Sequence, residues 1–131
     1  MGYFNGDLSK RRIQPVIIDK EGKPQQVQVS GAILGFAKRA SFPVKKTMLN
    51  PGETLFLYTD GLVENTSKDG KTLKRTKMNS ILSSSKDCGE VVANLSTEVN
   101  LLWQGNEQAD DVSMMALTWH HRVDKKISQI S

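Results

Sequence analysis

Two acidic positions in this sequence have the type and setting for metal chemistry. Asp60 ends an apolar run, Leu55-Phe56-Leu57-Tyr58-Thr59, and is followed at once by Gly61. Asp110 and Asp111 open a second apolar run, Val112 to Trp119. A carboxylate beside a core strand needs a partner or a cation, because stripping its water without compensation is costly. Read alone, Asp60-Gly61 is also a common hairpin turn pair. It is the combination of the two segments that suggests a metal site.

Other candidate residues carry less. Gly70-Lys71-Thr72 looks like the end of a phosphate-binding loop, but Asn65 stands where that motif needs glycine and no strand immediately precedes it. His120 and His121 are adjacent, and neighbouring residues on a strand point to opposite faces, so they do not readily share one ion. Cys88 falls in the first turn of an expected helix, where the dipole favours a thiolate. It has no nearby histidine or second cysteine and reads as structural.

The elements that must position Asp60 and Asp110 follow from local pattern. Pro15 to Asp19 is a β-branched run ending at the turn signal Lys20-Glu21-Gly22-Lys23. Gln25 to Ser30 alternates and reads as the returning strand of a hairpin. Phe42 to Leu49 is expected to be a further strand, with Pro43 at its start or on an edge. Asn50-Pro51-Gly52-Glu53 is a turn, and Thr54 to Thr59 is a strand. After Glu64 the chain is polar through Lys71 and reads as a surface loop.

Leu73, Met78, Ile81 and Leu82 recur at helical spacing and predict a helix over 72–83, broken by Ser83-Ser84-Ser85. Asp87 and Glu90 form a capping-box pattern for a helix whose stripe runs from Val91 to Trp103 and which Gly105 ends. Val112 to Trp119 is the closing strand. Several strands, two helices and a strand make an α+β protein, a mainly antiparallel sheet with helices packed on it.

With 131 residues, 37% hydrophobic and 24% charged, the chain fits one small domain or part of one. A single cysteine excludes an internal disulfide framework. No apolar stretch approaches a membrane span and no signal peptide is visible, so a cytoplasmic location is expected. The net charge of +4 gathers in basic clusters, the longest between Lys68 and Lys77. No Lys or Arg lies between Lys86 and Arg122. A nucleic-acid partner is not expected, since no aromatic interleaving or binding motif accompanies the basic residues.

Pro51-Gly52-Glu53-Thr54-Leu55-Phe56-Leu57-Tyr58-Thr59-Asp60-Gly61-Leu62-Val63-Glu64 resembles the PG(D/E)-x-L-x-LYTDG(V/L)-x-E signature of metal-dependent, type 2C (PPM) protein serine/threonine phosphatases, in their bacterial SpoIIE-type branch. Asp110-Asp111-Val112-Ser113 is similar to that branch's closing DD(V/M)(T/S) strand. Asp19 to Gly35 resembles an upstream stretch with Gly31 and Leu34-Gly35 in the expected places. Three motifs in order cover about Pro15 to Trp119. The GD(Y/F)(Y/F)D and GDVxGxG segments of the family's first half are not in this sequence, and Gly6-Asp7 lacks the aromatics that would equate it with either.

The resemblance implies an α-β-β-α sandwich of which residues 1–131 form the C-terminal portion, with 1–12 as a lead-in and 122–131 as a tail. It implies Mn2+ or Mg2+ held by Asp60 and Asp110, with hard carboxylate oxygens as donors. Gly61 would allow the tight turn that presents Asp60, and Asp111 would stand behind the ligands at the strand end. Thr59 and Ser113 read as strand residues with hydroxyls turned to solvent, and Glu64 as a solvated loop residue. The implied substrate is a phosphorylated regulatory protein such as an anti-anti-sigma factor. The competing expectation is a non-catalytic interaction module that keeps the fold without the first-half ligands. A half-sandwich exposes strand edges and apolar faces, so self-association as a homodimer is also expected.

Overall fold

A computed structural model describes residues 15–28, 38, 44–67, 69–103 and 111–120. Strands β1 (Val16–Ile18), β2 (Pro24–Gln26), β3 (Thr54–Tyr58) and β4 (Met114–Thr118) form one sheet. Three helices lie between β3 and β4 in sequence: α1 (Gly61–Glu64), α2 (Arg75–Ser84) and α3 (Cys88–Leu102). The sheet order is β2-β1-β3-β4 and every pairing is antiparallel. The expected α+β architecture is therefore what the chain adopts.

Alternation sets the two faces of the sheet. Val16, Ile18, Thr54, Phe56 and Tyr58 point to one side and are buried. On that side lie Met78, Ile81 and Leu82 of α2 and Val91, Leu95 and Val99 of α3, each set at the spacing of one helical face. Phe56 and Tyr58 stack with ring centroids 5.3 Å apart. Burying each large core side chain contributes about 1.5–3 kcal/mol. Thr54 and Thr118 are cross-strand partners, and their hydroxyls bond to each other at 2.7 Å.

The opposite face is apolar as well. Ile17, Leu55, Leu57, Met115 and Leu117 share it by strand parity, and Met115 and Leu117 remain 56% and 54% exposed. A sheet meant to face water on one side would alternate apolar with polar residues; this one reads as a sheet apolar on both sides.

Local chemistry accounts for the element ends. In the β1–β2 turn the Asp19 carboxylate accepts from the Glu21 and Lys23 amides at 3.0 and 2.8 Å. Gly22 there has φ +86°, and a Cβ on it would meet the Ser83 carbonyl oxygen at 2.9 Å. The Asp87 carboxylate caps α3 by accepting from the Glu90 amide at 2.9 Å, as the capping pattern predicts. Glu90 reaches back one residue further than that pattern requires, accepting from the Lys86 amide at 2.8 Å. At the end of α2 the Ser84 and Ser85 hydroxyls and the Ser85 amide all donate to the Ile81 carbonyl, which closes the helix.

Several expected boundaries move. The strand expected over Phe42 to Leu49 is absent from its described part: residues 44–50 pair with no strand, and Val44 and Met48 are 85% and 79% exposed. β-branched residues favour a strand only where a neighbour completes the ladder. Phe42 and Pro43 lie outside the described residues, as do Gly31, Leu34-Gly35 and Gly105. Helix α2 begins at Arg75 rather than Thr72, because Lys74 is extended (ψ 144°) and Leu73 is drawn into the core.

Candidate metal site

The site begins where β3 stops. The ladder runs one step beyond Tyr58, with the Thr59 amide donating to the Ser113 carbonyl at 2.9 Å. The Thr59 hydroxyl accepts from the Ser113 amide at 2.9 Å and lies 3.3 Å from the Ser113 carbonyl. Thr59 was expected to turn its hydroxyl to solvent; instead the hydroxyl clasps the start of the neighbouring strand. That strand is the one Asp111 leads into, so Thr59 ties the two acidic segments together.

Asp60 then starts α1. Its carbonyl accepts from the Val63 and Glu64 amides at 3.1 and 2.8 Å, and the Thr59 carbonyl accepts from the Leu62 amide at 3.1 Å. Asp60 is the N-cap by position, but its side chain makes no capping hydrogen bond. An aspartate at this position usually spends its carboxylate on the first free amides. Here the carboxylate is left exposed at the strand end.

Gly61 was expected to serve a tight turn. Its backbone is not left-handed; it is the first residue of α1. Glycine is needed for room: a Cβ would collide with the Asp111 carbonyl oxygen and stand 3.3 Å from Asn65 Nδ2. The backbone of Asp111 thus packs directly on the residue after Asp60. Asp110 lies outside the described residues.

The stretch after Glu64 is less of a surface loop than its polarity suggests. Asn65 is only 6% exposed and Ser67 is buried too. The Ser67 hydroxyl accepts from the Lys71 amide at 3.1 Å, and the Ser67 amide donates to the Lys71 carbonyl at 2.8 Å. The sequence marks Asn65 only as the residue that breaks the phosphate-loop pattern; nothing local marks it as buried.

Tyr58, two residues before Asp60, has its hydroxyl oxygen buried and without a hydrogen-bond partner among the described residues. Burial pushes its phenol above the ordinary value, and the nearby Arg75 guanidinium draws it partly back.

The donor chemistry at Asp60 and Asp111 suits a hard divalent cation. The number of donors does not: among the described residues no three His, Cys, Asp or Glu side chains are grouped to hold a metal. Among them, too, no helix is long and apolar enough to cross a membrane.

Comparison with known proteins places the chain. The model of the family described as stage II sporulation protein E (SpoIIE) matches residues 12–120. Protein IcfG of Synechocystis sp. (strain ATCC 27184 / PCC 6803 / Kazusa) is 26% identical over 117 residues, which are 86% of this chain and 18% of that protein. A crystal structure of the RsbU and RsbW domains of Rv1364c from Mycobacterium tuberculosis superposes with a TM-score of 0.55 at 26% identity, covering 82% of this chain and 30% of that one. The phosphatase domain of the cell-fate determinant SpoIIE from Bacillus subtilis, presoaked with Mn, superposes with a TM-score of 0.59 at 18% identity. That match covers 88% of this chain and 50% of the domain, and it speaks for the fold alone. The chain thus spans less than a fifth of the curated relative and half of that phosphatase domain.

Proposed function

Because this chain belongs to the SpoIIE family, we propose that it is the C-terminal portion of a metal-dependent phosphoprotein phosphatase domain acting on phosphorylated serine or threonine. The observation that carries the reading is Asp60. Its carboxylate is exposed at the end of a core strand, is unused by the helix it starts, and is held beside the segment that leads from Asp111 into β4. Asp60 and Asp110 are the proposed ligands for Mn2+ or Mg2+, with Gly61 and Asp111 supporting them through the packing of their backbones.

Bound divalent ions would supply an activated water and charge neutralisation at a phosphoryl group. The described residues contribute the frame: Thr59 fixes the strand ends, and Gly61 lets them approach. The proposed substrate is a phosphorylated regulatory protein such as an anti-anti-sigma factor, met in the cytoplasm.

A second reading is favoured by the short donor set among the described residues: a module that keeps the fold and binds partners without hydrolysing phosphate. Manganese titration of the chain, with aryl phosphate hydrolysis beside it, separates the two. The phosphatase reading expects Mn2+ binding that weakens at least tenfold in Asp60→Asn, since losing even a group that only orients a ligand costs about 10–100-fold. Neither binding nor hydrolysis in the wild type would leave the interaction module.

A further inference from the structure

The geometry points to a docking groove for an acidic protein segment at the start of α2, on a surface separate from Asp60. Lys71, Lys74, Arg75 and Lys77 are all exposed within seven residues. Together with Thr72, Leu73 and Leu102, three of them line a groove of about 520 Å³ between the loop and the end of α3. Leu73 and Leu102 provide its apolar floor, and the lysines its rim.

The charges are placed against the preference of the helix itself. The first turn of a helix favours acidic residues, since the dipole is positive there. Helix α2 has no acidic residue in that turn and no side-chain cap, and starts with Lys74, Arg75 and Lys77. Lys77 has one ion-pair partner, Glu98 at 3.6 Å on the opposite wall, with both side chains partly exposed. Lys71, Lys74 and Arg75 make no ion pair among the described residues, and Asp69 is the one carboxylate on the turn beside them. Such a concentration of one sign raises the local concentration of an oppositely charged partner.

The complementary ligand has several carboxylates for the rim and one aliphatic side chain for the floor. Leu73 belongs to the same core cluster as Tyr58 and Leu62, so the groove and the end of β3 are held on one packed body. An acidic segment seated there would be tethered to the same packed body that carries Asp60. The groove does not depend on hydrolysis, so it stands or falls separately from the phosphatase reading.

The test is fluorescence anisotropy of the full chain with a labelled peptide of Asp, Glu and Ser around a central Leu. Binding is expected at low salt, weakening as salt screens the rim. Lys71→Glu with Lys74→Glu should weaken it about tenfold, two exposed attractions having become repulsions. Circular dichroism should show α2 intact, since acidic residues suit its first turn. Replacing the peptide's Leu by Ser should also weaken binding, whereas Asp60→Asn should leave it unchanged. Equal binding of the same peptide with Asn and Gln in place of its Asp and Glu, or no effect of the double substitution, would overturn the proposal. Tighter binding of single-stranded DNA than of the peptide would overturn it in favour of a nucleic-acid surface.

Discussion

The Asp111 carbonyl oxygen stands against the α-carbon of Gly61, closer than any side chain at that position would allow. Two backbone segments fifty residues apart therefore meet because one of them has no Cβ. Gly61→Ala should force the α1 start and the β4 lead-in apart, costing about 1–3 kcal/mol, as overpacking does. Chemical denaturation would measure it. Gly70→Ala is the control: it meets no atom within 4 Å and bears only the strain of φ +74°, about 1 kcal/mol.

Thr59 should matter through its hydroxyl. Thr59→Val keeps the shape and takes from the exposed Ser113 amide its 2.9 Å acceptor, an expected loss of about 0.5–1.5 kcal/mol. Thr59→Ser should restore most of it. Equal stability of the Val and Ser variants in urea titrations would show that the clasp contributes nothing.

Tyr58 makes a prediction about pH. Its folded-state phenol titrates above the ordinary value of 10.0, chiefly because burial disfavours the phenolate. The neutral form is therefore the one the fold favours. Its contribution is fully present below about pH 10 and is lost as pH rises through the raised folded value. Tyr58→Phe should remove that alkaline loss. At neutral pH it should be neutral or stabilising by about 1 kcal/mol, since the buried hydroxyl has no partner among the described residues. Thermal melts of both proteins across alkaline pH would test this.

The second sheet face predicts association. Met115 and Leu117 are more than half exposed beside Leu55 and Leu57 on an apolar surface. The wild-type chain should show concentration-dependent self-association by light scattering, and Met115→Lys with Leu117→Lys should reduce it. A wild type that stays monomeric at high concentration would remove the apolar face as a driver of assembly.

Features set by near neighbours were legible in the residues. The unbroken apolar run Leu55-Phe56-Leu57-Tyr58 marked a core strand, and the Asp87 and Glu90 spacing marked the start of α3, because both depend on residues within a few positions. Helix α1 was not legible: it has four residues, and Asp60-Gly61 is equally good as a turn. Residues 44–49 misled, since their propensity had no ladder to serve.

The sequence by itself determined the α+β order, the apolar stripes of α2 and α3, and the acidic ends of two strands, and its motifs marked the SpoIIE family. Only the tertiary structure decided why those ends meet. The Thr59 clasp on Ser113 and the bare α-carbon of Gly61 under the Asp111 carbonyl both depend on pairings across about fifty residues. Local pattern cannot encode such a pairing, because its energy exists only once both segments are in place.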